Sequence, residues 1–153
     1  MFFTDKHTIL KKTYKSIECE AMNMDELFHA ARQAAGAAYA PYSHFRVGAA
    51  LLGENGDVYT GCNVENRSFG LTICAERTAA VNGISRGERR FIAAAIFTPD
   101  SVEPVGPCGA CRQVLSEFMA PGARVRFGGS GPERVDTTMG ELYPFDSLHD
   151  LAK

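Results

Sequence analysis

The sequence predicts an α/β fold: a three-layer α/β/α sandwich around a mixed sheet of about five strands. Three observations carry that prediction. Helical and strand-like patterns follow one another in the order helix, hairpin, helix, strand, helix, strand, strand, which puts helices on both faces of a sheet. The segment 45–52 is apolar at both alternating positions apart from Arg46 and Gly48, as a strand covered on both sides would be. An Asn55-Gly56 pair between two strand-like runs marks a hairpin, so part of the sheet is antiparallel.

Residues 1–22 mix Lys6, Lys11, Lys12 and Lys15 with scattered apolar positions and show no periodicity; they read as an N-terminal extension, with 23–153 as a single domain. Asn23 and Glu26 resemble a capping box, and Leu27, Ala30, Ala31, Ala34 and Ala38 recur at helical spacing, predicting a helix over 24–38. Its alanines permit close packing on a sheet, and Ala40-Pro41-Tyr42-Ser43 ends it. Beyond the hairpin turn a partner strand is expected over 58–64. At its end Asn63 and Glu65, two apart, share a face, which by position alone reads as a solvated strand end. A helix over 74–86 stops near Gly87, and 91–98 is a strong strand. In a second cysteine-led helix, over 108–119, Cys111, Val114, Leu115 and Phe118 recur at helical spacing until Pro121-Gly122. Weaker strands follow near 124–127 and 134–137.

The chain has 153 residues, 45% hydrophobic and 22% charged, an ordinary globular composition with room for one core. A net charge of -2 and a pI near 6.1 exert no pull on polyanions, which counts against a nucleic-acid polymer and favours a free small molecule. No apolar run reaches the roughly 18 residues of a membrane span, and Met1-Phe2-Phe3-Thr4-Asp5-Lys6 lacks the basic start and apolar stretch of a secretory leader. A soluble, cytoplasmic protein is expected, with no membrane partner. Five cysteines, two of them in a C-x-x-C pair, read as metal chemistry in a reducing compartment. Cys19 and Cys62 read as small buried hydrophobes.

The chemistry concentrates in Cys74-Ala75-Glu76-Arg77 and Pro107-Cys108-Gly109-Ala110-Cys111. Each places a cysteine at a helix start, where unpaired N–H groups and the helix dipole favour thiolate. The spacing of three puts Cys108 and Cys111 on one face of a turn. Three thiolates with one coordination position open suit a catalytic zinc, one per chain, and Glu76 stands close enough to use its water without ligating the metal. Such a site carries a formal charge of about -1, which Arg77 is placed to offset. A closed structural zinc would need a fourth ligand from Cys62, His44 or Cys19, none at diagnostic spacing. No thioredoxin-like context surrounds the C-x-x-C pair.

Cys74-Ala75-Glu76-Arg77-Thr78-Ala79 with Pro107-Cys108-Gly109-Ala110-Cys111-Arg112-Gln113-Val114-Leu115 resembles the cytidine deaminases of the small homotetrameric kind. Tyr42-Ser43-His44-Phe45-Arg46-Val47-Gly48-Ala49-Ala50 and Gly61-Cys62-Asn63-Val64-Glu65-Asn66 extend the likeness over about 25–148. The resemblance implies hydrolytic deamination of cytidine and deoxycytidine in pyrimidine salvage, by zinc-activated water with Glu76 carrying the protons. It implies that Asn63 and Glu65 hold the ribose hydroxyls, that Phe45 packs on the pyrimidine, and that Ala75 contacts substrate. Phe145 would stack on the base from a neighbouring chain of a homotetramer with shared active sites. Three departures stand out: Phe69 in place of an aromatic hydroxyl, Gly106 where Ser or Thr is common, and Leu142-Tyr143-Pro144-Phe145 where the family has Leu-Leu-Pro. A deaminase of the blasticidin S type and a non-enzymatic zinc-stabilised binding module are the alternatives.

Overall fold

In the computed structural model, which describes residues 23–146, Asn23 caps helix α1 (Met24–Ala35) with the expected capping box. Its Oδ1 accepts from the Asp25 and Glu26 backbone, and Glu26 accepts from the Asn23 N–H in return. The helix ends three residues before the predicted limit, because Ala37 and Ala38 close tighter turns onto Ala34 and Ala35. The buried stripe is Met24, Leu27, Phe28, Ala31 and Ala35, so Ala30, Ala34 and Ala38 flank it rather than form it.

Strands β1 (Gly48–Gly53) and β2 (Val58–Cys62) form the predicted antiparallel hairpin, and every residue of β1 is buried. Both strands stop short of their expected outer ends, leaving 45–47 and 63–65 as facing loops. A short 3₁₀ turn (Phe69–Leu71) precedes α2 (Ala75–Ser85), then come β3 (Phe91–Phe97), α3 (Gly109–Phe118), β4 (Met119–Gly128), β5 (Arg134–Thr138) and α4 (Met139–Leu142). The sheet order is β2-β1-β3-β4-β5, with β3 and β4 parallel and the other neighbours antiparallel, the mixed five-stranded sheet that was expected. Strand β4 starts directly after α3. Pairing passes from Phe91–Met119 to Ala93–Arg124, so Pro121-Gly122 sits in a bulge inside the strand instead of marking its boundary. Helix α4, absent from the sequence reading, is set by a second capping box between Thr138 and Glu141.

The sheet separates two cores. On one face α1 packs Leu27, Phe28 and Ala31 against Ala50, Leu52 and Phe97; on the other α2 and α3 pack Ala79 and Leu115 against Leu51, Ile96 and Val125. Two glycines bring helices onto the sheet. A Cβ on Gly48 would stand 2.1 Å from the Ala31 carbonyl oxygen, and one on Gly61 would stand 2.3 Å from the Ala79 nitrogen and 2.7 Å from the Ala75 oxygen. The second contact seats the first turn of α2 directly on β2.

Candidate active site

Cys74 and Cys108 occupy the N-cap positions of α2 and α3 in extended geometry, and neither spends its side chain on capping. Both sulphurs are therefore left for another partner at the positive ends of two helices. Cys111, in the first turn of α3 and fully buried, completes the group. The three Sγ atoms lie within 4.8 Å of one another, with Cys74 and Cys108 3.8 Å apart. Two thiolates about 2.3 Å from a tetrahedral ion stand roughly 3.8 Å apart, so the trio fits one zinc ion with a coordination position to spare. Neither Cys62 nor His44 joins the group, and Cys19 lies outside the described residues, as does the 1–22 extension.

The thiols are not equivalent. A hydrogen bond with Cys111, aided by Arg77 and Cys108 and opposed by burial, holds Cys74 down to about 5. The same bond, then burial, then the Glu76 charge push Cys111 up. The Cys74 sulphur is 3.5 Å from an Arg77 guanidinium nitrogen that also donates to the Thr72 carbonyl at 3.1 Å. Arg77 Nε is buried with no hydrogen-bond partner. Arg77 accordingly faces the thiols rather than solvent.

Glu76 follows in the first turn of α2 and is 4% exposed. Burial is the leading cause that raises its carboxyl; its own backbone N–H pulls the other way, and the charge on Cys74 adds to the rise. A carboxyl that takes up a proton more readily than usual is suited to exchanging protons near neutral pH.

A cavity of about 320 Å³ is lined by Cys74, Ala75, Glu76 and Cys108 together with Phe45, Asn63 and Glu65. That volume lies at the lower end of the range of roughly 300–1,000 Å³ for small-molecule sites. Asn63 and Glu65 are no solvated strand end. Asn63, 8% exposed, accepts from the Val47 N–H and donates to the Phe45 carbonyl, both at 2.8 Å. The Glu65 carboxylate accepts from the Tyr42 and Ser43 N–H groups at 2.9 and 3.3 Å and from the Ser43 hydroxyl.

Phe145 stands apart, 92% exposed and away from the cavity of its own chain. Phe69 is 74% exposed and meets Tyr42 edge to face. At Gly106 a Cβ would point at the Phe127 ring, 3.2 Å away. The sequence reading missed Ser43, Val47, Thr72, Thr98 and Val105, all of which line the cavity. Ser43 and Val47 alternate with Phe45, a period-two signal that was available; the other three lie at element ends or in loops where no local pattern exists.

Three thiols at two helix starts beside a buried carboxyl, two of the thiols lining a half-open and largely apolar cavity, characterise a metal-dependent hydrolase. Comparison with known proteins narrows the class. The family model described as cytidine and deoxycytidylate deaminase zinc-binding region matches residues 22–126. A cytidine deaminase of Sporosarcina psychrophila is 44% identical over 123 residues, covering 80% of this chain and 90% of that protein. One from Halalkalibacterium halodurans is 46% identical over 123 residues, covering 80% and 92%. The crystal structure of cytidine deaminase from Burkholderia pseudomallei superposes with a TM-score of 0.77 at 44% identity, covering 81% of this chain and 98% of that one. The chain belongs to the cytidine and deoxycytidylate deaminase family and is a zinc-dependent hydrolytic enzyme.

Proposed function

We propose that the chain deaminates cytidine and deoxycytidine hydrolytically, giving the corresponding uridines and ammonia. The observation that carries this reading is the meeting of Glu76, Cys74 and Cys108 with Phe45, Asn63 and Glu65 around one cavity, with Cys111 buried beside the other two thiols. Cytidine deaminases similar over nine-tenths of their own length support the choice of reaction.

Zinc held by Cys74, Cys108 and Cys111 would supply Lewis-acid activation of water. Glu76 takes a proton from the water that adds at C4 and delivers it to N3 of the pyrimidine. A second proton, taken by Glu76 from the newly added C4 hydroxyl and passed to the exocyclic nitrogen, lets the C4–N bond break and ammonia leave as the C4 carbonyl forms. Arg77 offsets the negative charge of the thiolates, Phe45 packs on the base, and Ala75 contacts it beside Glu76. The sugar role follows from what the two polar residues have left. A carboxylate offers about four acceptor sites, of which Glu65 uses three within the protein, and the Asn63 amide retains one N–H. Asn63 Oδ1, which accepts only from Val47, keeps a second lone pair, so one donor and two acceptors remain, enough to hold a sugar hydroxyl as both donor and acceptor. A hydroxyl common to ribose and deoxyribose meets that need, which supports use of both nucleosides.

Among the described residues no helix is long and apolar enough to cross a membrane. Free thiols arranged as metal ligands favour a reducing, cytoplasmic setting and action in pyrimidine salvage. Residues 23–153 act as one deaminase domain, and Phe145 reaches a neighbouring subunit of a homotetramer. Ultraviolet absorbance of metal-replete protein with cytidine, deoxycytidine, cytosine, CMP and blasticidin S tests the reaction. Turnover of the two nucleosides with matching ammonia release is expected; turnover of blasticidin S alone would overturn the assignment.

A further inference from the structure

The loop that carries Phe45 has almost no backbone partners of its own. His44 lies in the left-handed region at φ 59°, the single non-glycine residue there among those described. Of the backbone N–H groups from Tyr42 to Val47, only that of His44 bonds to a carbonyl of the main chain, Ala40, at 3.1 Å. The others go to side chains: Tyr42 and Ser43 to Glu65, Phe45 to Ser43 Oγ at 3.0 Å, Arg46 to Asp100 at 2.8 Å, and Val47 to Asn63. The Phe45 carbonyl is taken by Asn63 as well. The segment joins the sheet only at its end, where the Val47 carbonyl accepts from the Asn63 N–H at 3.1 Å; before that its shape follows its side-chain partners. Ser43 is the relay among them, since its hydroxyl donates to the Glu65 carboxylate while its oxygen accepts from the Phe45 N–H.

We propose that Ser43, Asn63, Glu65 and Asp100 form a clamp that orients the Phe45 ring, with Ser43 as the positioning residue linking Glu65 to Phe45. The proposal rests on the reading of Phe45 as the ring that packs on the pyrimidine. It adds a second duty to Glu65, whose carboxylate holds the loop and meets the sugar at once. Orientation of the base-packing ring and occupancy of the sugar site are thereby coupled through one side chain.

The test uses the metal-replete full chain, with Ser43→Ala and the hydroxyl-retaining Ser43→Thr. Ser43 is exposed, so neither variant disturbs the core. Ser43→Ala is expected to lower kcat/KM about 10-fold, chiefly through KM, as loss of a hydrogen bond to a charged acceptor would. The fall should persist with 2′,3′-dideoxycytidine, because the clamp acts on the ring that meets the base whichever hydroxyls the sugar carries. Hydrogen exchange at the Tyr42, Ser43 and Phe45 amides should quicken about 10-fold or more in Ser43→Ala, and Ser43→Thr should restore both kinetics and protection. Wild-type KM and exchange in Ser43→Ala would overturn the clamp, and so would a penalty confined to cytidine. Phe45→Ala separates the two layers of the argument. If it leaves kcat/KM unchanged, the base-packing reading itself falls; if it is costly while Ser43→Ala is silent, only the clamp falls.

Discussion

On the proposed mechanism a single carboxyl, Glu76, separates a catalytic thiol trio from a structural staple. Glu76 is buried beside the sulphurs yet its geometry leaves metal binding to the cysteines. Glu76→Gln should therefore retain one zinc per chain by elemental analysis while losing about 100- to 10,000-fold in turnover. Near-normal turnover would remove the proton shuttle. Arg77 makes a different prediction, because its contact with Cys74 acts on charge rather than on protons. Arg77→Gln should release zinc to a competing chelator more readily, with the fold unchanged by circular dichroism; equal retention would return Arg77 to an ordinary helix residue. The grouping of the three cysteines, with Glu76 beside them, was legible in the sequence because ligand spacing and helix starts are local properties. The partners of Asn63 and Glu65 were not, since they depend on how the 42–47 loop crosses the end of β2, which no local pattern encodes.

Between elements, the determinants are close approach and a pair of charges. Adding a methyl at Gly48 would drive α1 off the sheet, so Gly48→Ala should cost about 1–3 kcal/mol, read as a lower denaturant midpoint. Arg46 and Asp100 tie the loop before β1 to the loop after β3. The side-chain bond to Arg46, then its backbone N–H, holds the Asp100 carboxyl down to about 2. Since the folded value lies below the roughly 3.9 of an unfolded aspartate, the contribution is complete above that value and disappears as pH falls through about 2. Asp100→Asn should flatten the fall of melting temperature in that acid window and leave its slope near neutrality unaltered. Element types and order were readable from periodicity and caps. The α1 stripe was misplaced because neighbouring alanines offer two equally apolar faces, and the bulge in β4 was taken for a boundary because Pro-Gly marks both.

At the scale of the whole molecule, the exposed rings are the unexplained feature of an isolated chain. Tyr39, Val64 and Ile73 run side by side through backbone bridges, and Phe69, Leu71 and Phe145 are all strongly exposed. A surface of that kind calls for a partner. Sedimentation should find a homotetramer. Subunits carrying Glu76→Gln and subunits carrying Phe145→Ala, each nearly inactive, should recover activity once unfolded and reassembled together. Mixed tetramers, verified by a mass tag, that stay inactive would refute sharing through Phe145.

The encounter of Cys74 with Cys108 also alters what the chain is as a polymer. The two stand 34 positions apart, with α2, β3 and a loop strung between them. An ion gripping both sulphurs turns that stretch into a ring. On the chain-entropy treatment of cross-links, tying such ends removes about 4 kcal/mol of freedom from the denatured ensemble. Unlike a covalent bridge, this tie is reversible and answers to mass action. The melting temperature should climb steadily with buffered free zinc and stay flat in Cys108→Ser. Metal scarcity would then thin the population of folded molecules as well as silence them, making the amount of intact enzyme a gauge of zinc supply.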